Sequence, residues 1–188
     1  MTGIHTAPAT SAAEDKQANY DRYIGMTGEP KLAPMPLERD TLRRFAQAIM
    51  DPDPIYYDDK AAKASKFGRV VAPPLYPAHA YRPPADGPDP FTVFADNPDS
   101  DGTAGSDGIY YGLAPIPMPY KRLLNGGNEL QFYRALAVGE RCIVTPRYAD
   151  VVLKQGKNGA MLLVVVETTY KTESGELLLV NRQTLIWR

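Results

Sequence analysis

Roughly the last 60 residues consist of four β-branched and aromatic runs, and these constrain the fold more than any other feature. They are NELQFYRALAVGE, RCIVTPRYADVVLK, AMLLVVVETTYKT and ELLLVNRQTLIWR, separated by breaks at Gly139, at QGKNG and at ESGE. Branched and aromatic side chains fit a pleated surface and lose little freedom there, so each run reads as a strand. The two later breaks are short enough for hairpins, and at least the last three strands are expected to form an antiparallel meander. Within it LLVVVE is too uniformly apolar for a strand with a wet face. It is expected at the centre of the sheet, with a helix covering one side.

The preceding half supplies that cover. LERDTLRRFAQAIM, residues 37–50, places Leu42, Phe45, Ala46 and Ile49 at helical spacing, with Arg43 and Arg44 opposite. Pro52 ends this helix. DDKAAKASKFG has an Asp start, an alanine-rich middle and Gly68 at its end, the pattern of a second, short helix. Between the two lies DPDPIYYDD, with four Asp, two Pro and two Tyr in residues 51–59.

Residues 83–119 hold eight Pro, five Gly, six Asp and no Lys or Arg. So many breakers exclude a long regular element, and a loop of this length is either functional or disordered. Its Phe91, Phe94, Tyr110, Tyr111, Ile116 and Met118 favour a loop that packs on something. Residues 1–19, rich in Ala, Thr and Ser, read as a mobile tail. The expectation is an α+β chain: a flexible tail, then one domain over 20–188 with an insertion at about 83–119.

Composition removes several function classes. A net charge of −1 without a clustered basic face argues against nucleic-acid binding. No apolar run approaches the ~20 residues of a membrane span, and MTGIHTAPATSAAEDKQ lacks the basic-then-apolar order of a secretory signal. A cytoplasmic location is expected. The single cysteine, Cys142, excludes an internal disulfide, and with only His5 and His79 no zinc constellation can be built. Cys142, inside a strand pattern, reads as a buried structural thiol. No cofactor or metal site is expected, and the partner is a small molecule or another protein.

IGMTGEP, the first helix, DPDPIYYDDKAA, VVAPPLYP and LNGGNELQFYRALAVGERCIVTPRYADVVLKQGKNG together resemble the MaoC-type hydratases and dehydratases, in their FAS1-like N-terminal dehydratase variant. The resemblance spans about residues 23–188, with 83–119 poorly matched. It implies a hotdog fold, a curved antiparallel sheet wrapped around a central helix, two such units pairing into a double hotdog that binds an acyl thioester. Active members hydrate a trans-2-enoyl thioester, or dehydrate the (R)-3-hydroxyacyl thioester, with a D-x-N-P-x-H loop. One group takes a proton from the attacking water and one delivers a proton to C2, so Asp and His must converge on one water. Backbone N–H groups at a helix N-terminus meet the charge developing on the thioester oxygen.

On that pattern Asp51 matches the Asp and Pro54 the proline, while Asp53 stands for Asn and Tyr56 for His. Imidazole titrates near ~6.5 and phenol near ~10, so Tyr56 can orient water or donate a hydrogen bond but does not readily replace histidine. His5 lies in the tail. His79, just after VVAPP, is either a structural residue or a substitute catalyst. By resemblance, Asp51 and Tyr56 are the catalytic candidates, and Pro54, Tyr57, Gly126, Gly127 and Asn128 the substrate-binding ones. LNGGN also reads simply as a turn into a strand, the Tyr56–Tyr57 and Tyr110–Tyr111 pairs as core or interface, and Lys121 and Arg122 as either CoA-phosphate contacts or solvated charges. Pro73 and Pro74 stiffen their segment and remove two N–H donors.

These residues are compatible with three functions. The first is the non-catalytic, substrate-shaping subunit of a heteromeric enoyl-CoA hydratase, paired with a homologous MaoC-like subunit carrying the intact Asp/His loop. The second is a self-sufficient homodimeric hydratase using Asp51 and Tyr56. The third is an acyl-thioester-binding or structural hotdog protein without turnover.

Overall fold

A computed structural model describes residues 17, 19–81, 92–96, 98, 112–117, 122–156 and 159–188. The element order is β1 (Lys31–Leu32), α1 (Arg39–Ala48), a 3-10 turn (Pro54–Tyr56), α2 (Asp59–Ala64), α3 (Pro77–Ala80), α4 (Val93–Asp96), β2 (Leu123–Phe132), β3 (Cys142–Gly156), β4 (Gly159–Thr172) and β5 (Leu177–Trp187). The strands form one antiparallel sheet in the order β1-β3-β4-β5-β2. The last three strands are the expected meander, and β4, carrying LLVVVE, lies at its centre. None of the described helices is long and apolar enough to cross a membrane.

Side chains alternate across β4, so that Leu162, Val164, Val166, Thr168 and Tyr170 are buried on one face while Leu163 and Val165 stay half-buried on the other. The buried face carries two apolar clusters. One joins Val144, Tyr170 and Leu179 to Leu42 and Ala46 of α1 and to Tyr56, and the other joins Tyr148, Val164, Leu185 and Trp187 to Tyr23, Leu113 and Ile116. The expected pattern of α1 holds at Leu42 and Ala46, whereas Ile49 is exposed because the helix stops at Ala48. The second helix likewise ends before the expected Gly68. Ser65 donates its hydroxyl to Ala62 O (2.7 Å) and accepts from Phe67 N (3.1 Å), drawing the backbone out of the helix.

One edge of the sheet is covered. Gly25 N donates to Tyr148 O (2.8 Å), Tyr148 N to Met26 O (3.0 Å), Gly28 N to Pro146 O (2.9 Å) and Ala33 N to Cys142 O (2.7 Å), so residues 25–33 run as a strap along β3. Gly28 is needed for this approach, since a Cβ there would lie 3.0 Å from Pro146 Cγ. Gln17 extends the strap, donating to Val151 O (2.8 Å) and accepting from Leu153 N (2.7 Å). The remainder of the segment read as a tail, residues 1–16 and 18, lies outside the described residues, as does most of 83–119. The opposite edge belongs to β2, where Phe132 and the following Tyr133 are 52% and 57% exposed.

The connection between β2 and β3 is held by Glu140. Its carboxylate accepts from Arg134 Nη1 (2.7 Å), from Ala137 N (2.9 Å) and from Arg69. Burial pushes this carboxyl up, but the hydrogen bonds from Arg134 and Ala137 and the charges of Arg134 and Arg69 outweigh it and hold the pKa at about 2. The stabilisation is therefore present above pH 4.5, the ordinary value, and is lost as the pH falls toward 2. Glu140→Gln is expected to cost about 2 kcal/mol at pH 7. In urea unfolding followed by circular dichroism, its stability should fall less steeply than the parent's between pH 5 and pH 2.

Candidate active site

The loop between α1 and α2 is set by the way α1 ends. Met50 N donates to Gln47 O (3.1 Å) and Asp51 N to Ala46 O (3.0 Å), the paired bonds of a Schellman cap. Such a cap needs a left-handed residue, and here Met50 fills it with φ 55°. An L side chain costs about 1–2 kcal/mol in that conformation. Met50 is 87% exposed, so burial within the chain recovers none of this cost. The cap ties the Asp51 amide to the last turn of the helix and so fixes where the loop begins.

Short-range hydrogen bonds shape the loop from Asp51 onward. Asp51 Oδ1 accepts from Asp53 N (3.2 Å), and Asp53 Oδ1 from Ile55 N (3.0 Å). Pro54 opens the 3-10 turn, where its missing N–H is harmless. The Tyr57 hydroxyl donates to Pro52 O. Asp58 caps α2 by accepting from Ala61 N (2.9 Å), and Asp59 pairs with Arg39 (2.5 Å) on the surface, where water makes the contact weak. Asp53 and Asp58 are thus capping residues and Asp59 a surface ion. Of these carboxylates, Asp51 acts most strongly on the Tyr56 phenol.

Tyr56 is 8% exposed, and its phenol lies in the field of the Asp51 carboxylate. Burial first, then the neighbouring Asp51 carboxylate, then the charge of Asp53, push its pKa up to about 12. At neutral pH Tyr56 keeps its proton beside the Asp51 carboxylate. The pair is one donor on one acceptor, with no group that both gives and takes a proton near pH 7 as imidazole does.

A cavity of about 580 Å³ opens beside Asp51, lined also by Arg43, Gln47, Met50, Pro52 and Tyr57. Arg43 is engaged, donating to Gln47 Oε1 (2.7 Å) and to Asp40 Oδ1 (2.7 Å). Of the residues singled out in the sequence, Asp51 and Tyr57 line this cavity, and Tyr56 and Pro54 stand next to them in the loop. Met50 was not legible as a site residue, because a left-handed cap without glycine or asparagine leaves no signal in the sequence.

Gly126 and Gly127 do not form a turn ahead of a strand. They lie inside β2, where Leu123 and Leu124 already pair with Trp187 and Ile186, and the register shifts between Asn125 and Gly127. This bulge is held by Gly127 N donating to Asn125 Oδ1 (3.0 Å), with Gly127 at φ 117°. A Cβ on Gly126 would come within 2.9 Å of Thr184 Cγ2. The bulge and this close packing account for both glycines, and Asn128 follows them on the exposed edge strand.

The remaining candidates separate cleanly. His79, in the four-residue α3, packs its ring 5.1 Å from that of Phe45. Pro73 and Pro74 precede α3, which itself begins with Pro77, so three residues in five carry no N–H. Burial pushes the Cys142 thiol up to about 12, which makes it structural and unreactive. Arg122 exchanges backbone hydrogen bonds with Arg188 (3.1 and 3.0 Å). His5, Tyr110, Tyr111 and Lys121 lie outside the described residues. No group of three His, Cys, Asp or Glu able to hold a metal ion occurs among the described residues.

The family model described as FAS1-like, dehydratase domain region, matches residues 23–180, and the chain belongs to that family. The chain is 26% identical over 147 residues to a UPF0336 protein of Streptomyces avermitilis, covering 78% of this chain and 81% of that protein. It is 26% identical over 178 residues to a probable enoyl-CoA hydratase alpha subunit of Thermomonospora curvata, covering 93% of this chain and 52% of that relative. In three dimensions it is similar to a chain of the ChsH1-ChsH2 complex from Mycobacterium tuberculosis, with a TM-score of 0.64 at 21% identity over 95% of this chain and 94% of that one. The fold is the hotdog fold.

Met50→Gly relieves the left-handed strain at the end of α1, partly offset by the greater freedom of glycine in the unfolded chain. A net stabilisation of about 0.5–1 kcal/mol is expected, measured as a raised denaturation midpoint.

Proposed function

We propose that this chain is the non-catalytic, substrate-shaping subunit of a heteromeric (R)-specific enoyl-thioester hydratase or 3-hydroxyacyl-thioester dehydratase. The observation that carries this reading is the state of Tyr56. At the position of the family's histidine stands a buried phenol that keeps its proton to about pH 12 beside the Asp51 carboxylate. Such a pair holds a carboxylate in place but supplies no base for water and no acid for C2 at neutral pH. The proline-rich segment ahead of α3, poor in N–H donors, agrees with it.

The missing half of the chemistry belongs, in this reading, to a homologous hotdog subunit with an intact Asp/His loop. Among the described residues no strand pairs the outer edge of β2, and with Phe132 and Tyr133 exposed this supports pairing, because such an edge offers hydrogen-bonding groups that another chain can satisfy. Similarity to a probable enoyl-CoA hydratase alpha subunit, and to a chain from a two-component complex, supports a heteromer over a homodimer. Asp51 then fixes the loop through Tyr56 and the Asp53 amide, and the cavity lined by Met50 and Tyr57 belongs to the space offered to the acyl thioester.

The test is turnover of crotonyl-CoA and of a bulkier trans-2-enoyl-CoA, by the purified chain and by its complex with a homologous subunit carrying the intact loop. The lone chain is expected to be inactive and the complex active. Within the complex, Asp51→Ala and Tyr56→Phe should lower kcat by less than about threefold, while removing the partner's loop histidine should cost on the order of 100-fold or more. Turnover by the lone chain that disappears in Asp51→Ala would overturn the proposal and establish the Asp51–Tyr56 pair as catalytic.

A further inference from the structure

The inner face of the sheet is not apolar throughout. In register across the strands, Leu179, Tyr170 and Val144 form a row in the cluster with Tyr56, and Leu185, Val164 and Val151 a row in the second cluster. Between these rows the same face carries Asn181, flanked by Thr168 of β4 and Leu130 of β2, and then Gln183, flanked by buried Val166 of β4 and exposed Asn128 of β2. The Asn181 Oδ1 atom is buried and has no hydrogen-bond partner. The side chains of Asn128 and Gln183 make no hydrogen bond with any described residue either.

A buried amide left without a partner destabilises a fold. Leucine occupies the equivalent inward positions two residues before Asn181 and two after Gln183, so the sheet accepts an apolar side chain there. Polar groups kept where packing favours apolar ones are characteristic of a binding site, where a few hydrogen-bonding groups set orientation within an apolar pocket. The rows hold no charge, because Glu129, Arg182, Glu167 and Arg147 pair across the opposite face. The matching group is therefore neutral. A hydroxyl, which both donates and accepts, satisfies the Asn181 amide whichever way that amide is turned, whereas a carbonyl satisfies only its N–H side.

We propose that Asn128, Thr168, Asn181 and Gln183 receive a hydroxyl group carried on the acyl chain, remote from the thioester. This deepens the reading of the chain as a substrate-shaping subunit and rests on it. Asn181 and Gln183 lie ~7 and ~14 Å along β5 from Leu179, which shares a cluster with Tyr56, so the receiving groups stand apart from the Asp51–Tyr56 loop and from the cavity beside it that this reading offers to the acyl thioester.

The test compares decanoyl-CoA with 10-hydroxydecanoyl-CoA, two saturated and unreactive probes, by calorimetric titration of the purified chain and of its complex with the homologous subunit. The hydroxylated probe is expected to bind about tenfold tighter. Asn181→Leu and Gln183→Leu should each erase that preference without weakening decanoyl-CoA, and Asn181→Leu should raise the melting temperature. Equal binding of the two probes to the unsubstituted protein overturns the inference, leaves the acyl-thioester reading standing and assigns the amide to bound water. Preference that survives both substitutions also overturns it. Failure of both probes to bind in either preparation overturns the acyl-thioester reading itself.

Discussion

The inner face of the β3–β4–β5 meander is the constraint to which the rest of the chain answers. Fully buried Val144, Tyr148, Val151, Leu162, Val164 and Leu179 on that face can be kept from water only by elements brought in from elsewhere in the sequence. α1 supplies Leu42 and Ala46, the 3-10 turn supplies Tyr56, and the strap with residues 112–117 supplies Tyr23, Leu113 and Ile116. Because Tyr56 is one of the covering groups, the loop that carries Asp51 is also part of the core. Its phenol is held down by packing, and the same burial that stabilises the fold moves its pKa still further from neutral.

That coupling gives the site its character. The loop is built almost entirely from local interactions, with the Schellman cap at Met50, the Asp51 and Asp53 turns, the proline at the start of the 3-10 turn and the Asp58 cap following one another in nine residues. Each is a short-range bond that positions backbone, and none requires a histidine. A scaffold of this kind can outlast its own catalysis, provided a partner supplies the reacting groups. On the proposed reading, what sets this subunit apart is the sheet face between its two apolar clusters, where Thr168, Asn181 and Gln183 stand with no charge beside them.

Much of this was legible beforehand. The alternation and turn residues of the last three strands placed the meander and put LLVVVE at its centre, since a period of two on a branched strand has few other outcomes. The motif DPDPIYYDD located the loop and set Tyr56 beside Asp51. Errors arose where a local pattern had a second meaning. LNGGN looks like a turn, but the edge strand runs through it as a bulge because Leu123 and Leu124 are already paired with β5. Ile49 has helical spacing, but the helix stops one residue earlier and leaves it in solvent. Ser65 ended α2 before Gly68, through a side chain whose competition with the backbone has no periodic signature.

By itself the sequence determined the class of fold, the order of the strands in the meander, the loop that carries Asp51 and the absence of histidine from it. These come from periodicity, turn chemistry and residue identity, all of which act over a few residues. Only the tertiary structure decided that the protonated Tyr56 phenol is buried beside Asp51, that Met50 is the left-handed cap, that Gly126 and Gly127 lie within a paired strand, and that Asn128, Thr168, Asn181 and Gln183 share one face. Burial and cross-strand register join residues far apart in the chain, and the free energy that sets them belongs to the whole folded sheet and not to any local segment.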